Sequence, residues 1–242
     1  MSPRSSPPSR RAAQVAAQVV AKGIYTPSAA AALLGERTST IRRWAFGYRR
    51  GGQPYPAAIQ TEIPALEGVR VLTFPELVEL MFIQGLLRSG LSWPKVRDAS
   101  RVAARLLEGE PHPFATSRWF HDAAALYLRL GMEHDEPLLV EVAGHGQLTM
   151  EPVLRPYLQQ LEFGSDGRAT RWYPRGTASS VVVDPKRAFG MPILDRGGVP
   201  TETLAGLHRA GDSPQEIASA FGLDEVDVQE AIAFEASLAR AA

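Results

Sequence analysis

The pattern of apolar and polar positions divides this chain into helical, irregular and again helical stretches. Residues 12–22 carry alanine and valine at helical spacing and stop at Gly23, a residue type that ends helices in the left-handed conformation. Pro27 and Ser28 open a second helix over 29–34, which Gly35 closes. The cluster Thr38-Ser39-Thr40 supplies a capping oxygen for a third helix over 41–48. Two short helices joined by a tight glycine-containing turn form a helix-turn-helix pattern. Residues 49–71 are broken by Gly51, Gly52, Pro54, Pro56, Pro64 and Gly68 and suit a hairpin or wing. Thr73-Phe74-Pro75-Glu76 is a capping box before an apolar helix with Leu77, Val78, Leu80, Met81, Leu86 and Leu87. Gly90 ends that helix, and Ser92 with Pro94 starts another to about residue 107.

Residues 111–180 lose the helical period. Segments 125–130, 138–142 and 147–150 read as short strands, and 153–163 suits a strand or a helix. Residues 164–180 have the composition of a linker or exposed arm. The signals then sharpen: a β run over 181–183 stops at Asp184-Pro185. A helix over 201–210 is capped by Thr201 and closed by Gly211. Ser213-Pro214-Gln215-Glu216 is a full capping box for the next helix, which stops at Gly222, and Asp224 caps a last helix. The expected fold class is mainly α with minor β. The expected divisions are a disordered basic tail and short helix (1–23), a winged helix-turn-helix domain (24–110), a β-containing connector (111–179) and a three-helix helix-turn-helix module (180–242).

Composition narrows the chemistry. The absence of cysteine excludes disulfides, thiol catalysis and sulfur-ligated zinc. No run of about 18 apolar residues exists, so a membrane span is not expected and the chain reads as cytoplasmic. The zero net charge hides an asymmetry: residues 1–50 carry +8, residues 51–205 carry −3 and residues 206–242 carry −5. A basic front and an acidic back point to two kinds of partner. His112, His121, His134, His145 and His208 have no paired spacing, Gly144-His145-Gly146 lacks the rest of a phosphate loop, and no Gly-x-Ser-x-Gly occurs. Neither a catalytic site, a metal nor a cofactor is expected.

The sharpest signal is Arg42-Arg43-Trp44 followed by Tyr48, Arg49 and Arg50. On a helical period Ile41, Trp44 and Ala45 share one face, which leaves Arg42, Arg43 and Arg49 free for phosphates or guanine edges. Thr40, Arg42, Arg43, Tyr48, Arg49 and Arg50 are therefore the candidate DNA-contacting set. The acidic last helix, with Glu225, Asp227, Glu230 and Glu235, would be repelled by polyphosphate. The second helix-turn-helix unit thus reads as a protein-contact or dimerisation module.

Tyr25-Thr26-Pro27, Ala29 to Gly35 and Thr40-Ile41-Arg42-Arg43-Trp44 resemble the opening of the MerR-type winged helix-turn-helix family. The segments 72–83, 90–92 and 96–97 resemble its second helix pair. The wing here is longer and richer in proline, and no long dimerisation helix follows. Val183-Asp184-Pro185, 190–194, 199–201, 210–217, 221–223 and 228–232 resemble a small helix-turn-helix domain of antitoxins encoded beside PIN-like ribonuclease toxins. Asp195-Arg196-Gly197-Gly198 departs from that domain's usual turn. Together the two halves are similar to large VapB-type antitoxins.

That resemblance implies an antitoxin that neutralises a PIN-like ribonuclease and represses its own operon by binding promoter DNA. The rival readings are a stand-alone regulator sensing a small ligand and a protein adaptor that binds no DNA. A carboxylate-rich nuclease site could be blocked by an inserted cation. Arg168, Arg171, Trp172, Arg175, Arg187 and Arg196 are the candidate toxin-binding set, with residues 164–242 expected to suffice. A homodimer is expected, with the apolar helix over 74–87 or the acidic C-terminal module as its surface.

Overall fold

Pro27 presets helical φ at the start of α1 (Pro27–Leu34), and the Thr26 hydroxyl caps it by accepting the Ala29 N–H at 3.1 Å. Left-handed Gly35 turns the chain towards α2 (Thr38–Phe46). No side-chain oxygen caps α2: Arg37 takes the cap position, and Thr38-Ser39-Thr40 form the first turn. β1 (Tyr48–Arg50) and β2 (Gln53–Tyr55) pair as an antiparallel hairpin. Gly51 and Gly52 close it at positive φ, as a two-residue turn of matching twist requires. The computed structural model describes residues 22–65, 68–107, 110–117 and 151–241. The basic tail, all but the last residue of the expected helix over 12–22, and the expected strands over 125–130, 138–142 and 147–150 lie outside them. His121, His134 and His145 also lie outside.

α3 (Phe74–Arg88) is apolar over most of its surface but also carries Glu76, Glu79 and Gln84, which are buried with the rest. Every residue from Glu76 to Leu86 is buried, within a cluster that takes in α1, α2 and α4 (Trp93–Leu106). This corrects the expected dimer surface, because the apolar face of α3 is already covered by its own chain. The polar groups α3 buries have partners. Gln84 Nε2 donates to the Leu34 carbonyl and to Glu36 Oε1, both at 2.7 Å. The Glu76 carboxylate accepts the N–H groups of Thr73 (2.9 Å) and Glu62 (2.7 Å).

The ambiguous stretch before residue 164 contains both structures, α5 (Glu151–Leu158) and β3 (Leu161–Phe163). The expected linker over 164–180 instead contains β4 (Ala169–Trp172). With β5 (Val181–Val183) and β6 (Pro192–Leu194) these form one four-stranded sheet in the order β3-β4-β5-β6, each neighbour antiparallel. The sheet crosses the expected boundary at residue 180, through the Trp172–Val183 pair. Val181 and Val183 point to one face and Val182 to the other. Val183 joins the core of α3, Val181 joins the core of the C-terminal helices, and Val182 packs with Tyr173 and Ile193.

The chain ends in α6 (Thr201–Ala210), α7 (Pro214–Phe221) and α8 (Glu225–Ala241). The Ser213–Glu216 capping box forms as expected, with Ser213 N–H donating to Glu216 at 2.8 Å. Thr201 does not cap α6: Pro200 takes that position, and the Thr201 hydroxyl donates to Glu235 of α8 at 2.5 Å. The segment leading into α1 packs closely on the turn before β6 at Tyr25. A β-carbon on Gly190 would collide with the Tyr25 hydroxyl, so only glycine allows this approach. The chain is mainly α with minor β. None of its described helices is long and apolar enough to cross a membrane.

Candidate nucleic-acid interface

Ile41, Trp44 and Ala45 anchor α2, with Trp44 stacked on Trp93 at 6.0 Å between ring centroids. Arg42 and Arg43 stay exposed on its outer side. Gly47 then joins helix to hairpin at φ 69°, where a β-carbon would lie 2.5 Å from the Tyr55 carbonyl oxygen. This close approach fixes the hairpin relative to α2. Tyr48 and Tyr55 stack across the hairpin at 4.6 Å with nearly parallel rings, which displays Arg49 and Arg50 on its exposed part.

All six predicted DNA-contacting residues therefore lie on one helix-and-hairpin unit. Arg43 donates to the Thr40 hydroxyl at 3.5 Å and Arg49 to the Gly52 carbonyl at 3.3 Å. Among the described residues, none of Arg42, Arg43, Arg49 and Arg50 is in an ion pair. Two neighbours were missed. Exposed Arg37 stands at the start of α2, and the guanidinium of exposed Arg70 lies 4.9 Å from the centre of the Phe46 ring. The basic count of the front end contained Arg37, but Arg70 reaches α2 only by tertiary folding.

The six predicted toxin-contacting residues meet a different fate. Trp172 is 4% exposed, sits in the core and donates its indole N–H to Gln160 at 3.2 Å. It is no surface anchor. Arg168 pairs with Glu110 at 3.1 Å, and Arg171 lies 3.2 Å from Asp184 and 3.7 Å from Glu162. Arg187 grips both the carboxylate and the carbonyl of Asp195 at 2.8 Å, and Arg196 pairs with Asp224 at 2.6 Å. Of the six, Arg175 alone is exposed with no ion pair among the described residues. The acidic last helix is similarly engaged: Glu230 accepts from the Ser179 hydroxyl (2.5 Å) and the Ser180 N–H (3.0 Å), and Asp227 from the Ser180 hydroxyl.

An ionic chain unseen in the sequence runs from the buried pair His112–Glu79 outwards to the more exposed Glu62 and Lys22. His112 Nδ1 is 3.0 Å from Glu79, its Nε2 is 3.1 Å from Glu62, and Glu62 meets Lys22 at 2.5 Å. Lys22, Glu62, His112, Arg168 and Lys186 border a cavity of about 510 Å3. Burial pushes the Glu79 carboxyl up, against the hydrogen bond from His112. Burial alone would lower His112, but the hydrogen bond and charge of Glu79, with Glu62 and Glu76 nearby, hold it above its ordinary value. Burial raises Glu62 too, yet the Lys22 hydrogen bond and the His112 charge bring it below its ordinary value.

The folded chain thus holds the His112 proton more tightly than the unfolded chain. Its contribution to stability is complete below pH 6.5, the ordinary value, and is lost as pH rises through the raised folded value. The raised Glu79 acts with the same sign. The melting temperature should therefore fall as the solution is made alkaline, and His112→Gln should flatten that slope. An unchanged slope in the variant would show that other groups cause it.

Residues 181–234 match the profile of a family described as "Protein of unknown function (DUF433)". The chain is similar to a protein named "Putative antitoxin VapB45" from Mycobacterium tuberculosis (strain ATCC 25618 / H37Rv). They are 27% identical over 222 residues, which covers 86% of this chain and 92% of the relative. The crystal structure of Rv2018 from Mycobacterium tuberculosis is similar with a TM-score of 0.69 at 26% identity, covering 86% of this chain and 96% of that one.

Proposed function

We propose that this chain is an antitoxin that neutralises a PIN-like ribonuclease in the cytoplasm and represses its own operon by binding promoter DNA. The observation that carries the DNA-binding half is the display of Arg37, Arg42, Arg43, Arg49 and Arg50 on one rigid unit with no carboxylate in an ion pair with them among the described residues. In a MerR-like mode, α2 enters the major groove and the hairpin follows the backbone. No side chain caps the first turn of α2, so its N-terminal end remains available to a phosphate. The name of the Mycobacterium relative, aligned over most of both chains, supports the toxin half.

Salt dependence tests the reader. Five arginines neutralising one phosphate each, at about 0.9 apiece, give a log–log slope of about −4.5. A slope near zero would leave the protein-adaptor reading in its place. For the toxin half, the test is co-expression of the full chain with the neighbouring nuclease, with restored growth as the expected result. Continued arrest beside folded, abundant protein would overturn it. The fragment over 164–242 is a poor test, because it leaves behind β3 and the core that encloses Trp172. The second reading, a ligand-sensing regulator, is favoured by the 510 Å3 cavity that several separate segments border.

A further inference from the structure

Ala188, Phe189 and Gly190 have successive φ values of 44°, 56° and 84°. Side chains with a β-carbon seldom adopt such angles, and they persist only where surrounding structure enforces them. Ala188 and Gly190 of this turn pack inwards, yet Phe189 is left 59% exposed and Met191 42%. The turn is nonetheless held from behind. The Phe189 carbonyl accepts the Ile24 N–H at 3.1 Å, and Gly190 lies against Gly23 and Tyr25. The aromatic ring is therefore presented from a fixed base.

An apolar groove of about 230 Å3 lies beside it, between α1 and the helices α6 and α8. Ile24, Ala29, Leu33 and Met191 line it, together with Glu202 and Glu235. Ile24 and Met191 border the groove and flank the Phe189 turn, so knob and hole share one face.

We propose that this face is the docking surface for a second copy of the chain, with each Phe189 inserted into the groove of the other. A two-fold dimer requires one patch to be complementary to itself, and a knob beside a matching hole meets that requirement. A different protein would need only one of the two. Charge agrees: Lys186, three positions before Phe189, is exposed and Glu202 is exposed at the groove, each without an ion pair among the described residues. The proposal does not depend on the antitoxin reading, although a dimer would give the DNA-contacting unit its second half-site.

The experiment is sedimentation of the full chain at low micromolar concentration, with two variants. Phe189→Gly removes the ring and suits the left-handed backbone, so it should not lower the melting temperature. Ala29→Trp fills the groove. An anchor of hot-spot quality weakens binding about 30-fold when lost, and a two-fold dimer loses it twice, so Kd should rise by about 1,000-fold. Wild type should sediment as a dimer and each variant as a monomer. An equimolar mixture of the two variants retains one intact knob and one open groove, and should form mixed dimers. A monomeric wild type, or a Phe189→Gly variant that stays dimeric, overturns the proposal. So does a variant of unchanged mass that loses a co-purifying nuclease, because the face would then serve that partner.

Discussion

Replacing Arg42 and Arg43 together with alanine will abolish the sequence-specific complex with promoter DNA and leave the fold intact. Both side chains are exposed, and neither takes part in an ion pair with a described residue. Surface changes of this kind move stability by about 0.5 kcal/mol or less. Each guanidinium that reads a guanine edge bidentately contributes about 1–3 kcal/mol of discrimination. Loss of both should weaken the specific complex by at least about 30-fold, while residual binding through Arg49 and Arg50 becomes indifferent to sequence. Mobility shifts on promoter and scrambled DNA, with a melting curve of the variant, make the measurement. Unchanged promoter affinity would remove α2 as the reading element.

Trp172→Ala will destabilise the protein by about 3–5 kcal/mol, the usual cost of truncating a buried large aromatic. That is a large share of the 5–15 kcal/mol that holds a typical domain together. Its ring belongs to the core that includes α3, its indole N–H is bonded to Gln160, and its backbone pairs β4 with both neighbours. Any loss of toxin binding in that variant will therefore follow from lost structure, and denaturant melts will show it directly. Arg175→Ala is the informative partner. If Arg175 is the cation offered to the nuclease, its removal should weaken capture by about 30-fold with the melting point unchanged. If capture survives, an arginine now held in an intramolecular pair must be released on binding, or another surface is used.

The contrast between Trp44 and Trp172 shows what the amino-acid pattern could reveal. Trp44 sits on a helix, where a period of 3.6 assigns faces from spacing alone, so burial of Ile41, Trp44 and Ala45 and exposure of Arg42 and Arg43 follow without any distant partner. Trp172 sits on a four-residue strand amid arginines, and nothing local says which neighbour will cover it. The same holds for its surroundings: Arg168 meets Glu110, and Arg196 meets Asp224, across long stretches of chain. A composition rich in arginine and aromatics reads as an exposed arm until those pairings are known.

The sequence by itself determined α1 to α4 and α6 to α8, a hairpin or wing after α2, the Ser213–Glu216 cap and the cationic face of α2, because capping, turn chemistry and helical period act within a few residues. Only the tertiary structure decided that α3 is enclosed, that one sheet ties the two helical units together through Val181 and Val183, and that His112 lies between Glu79 and Glu62. These depend on which distant surfaces exclude water from one another. Burial and ion pairing are set by that choice, and no local spacing records it.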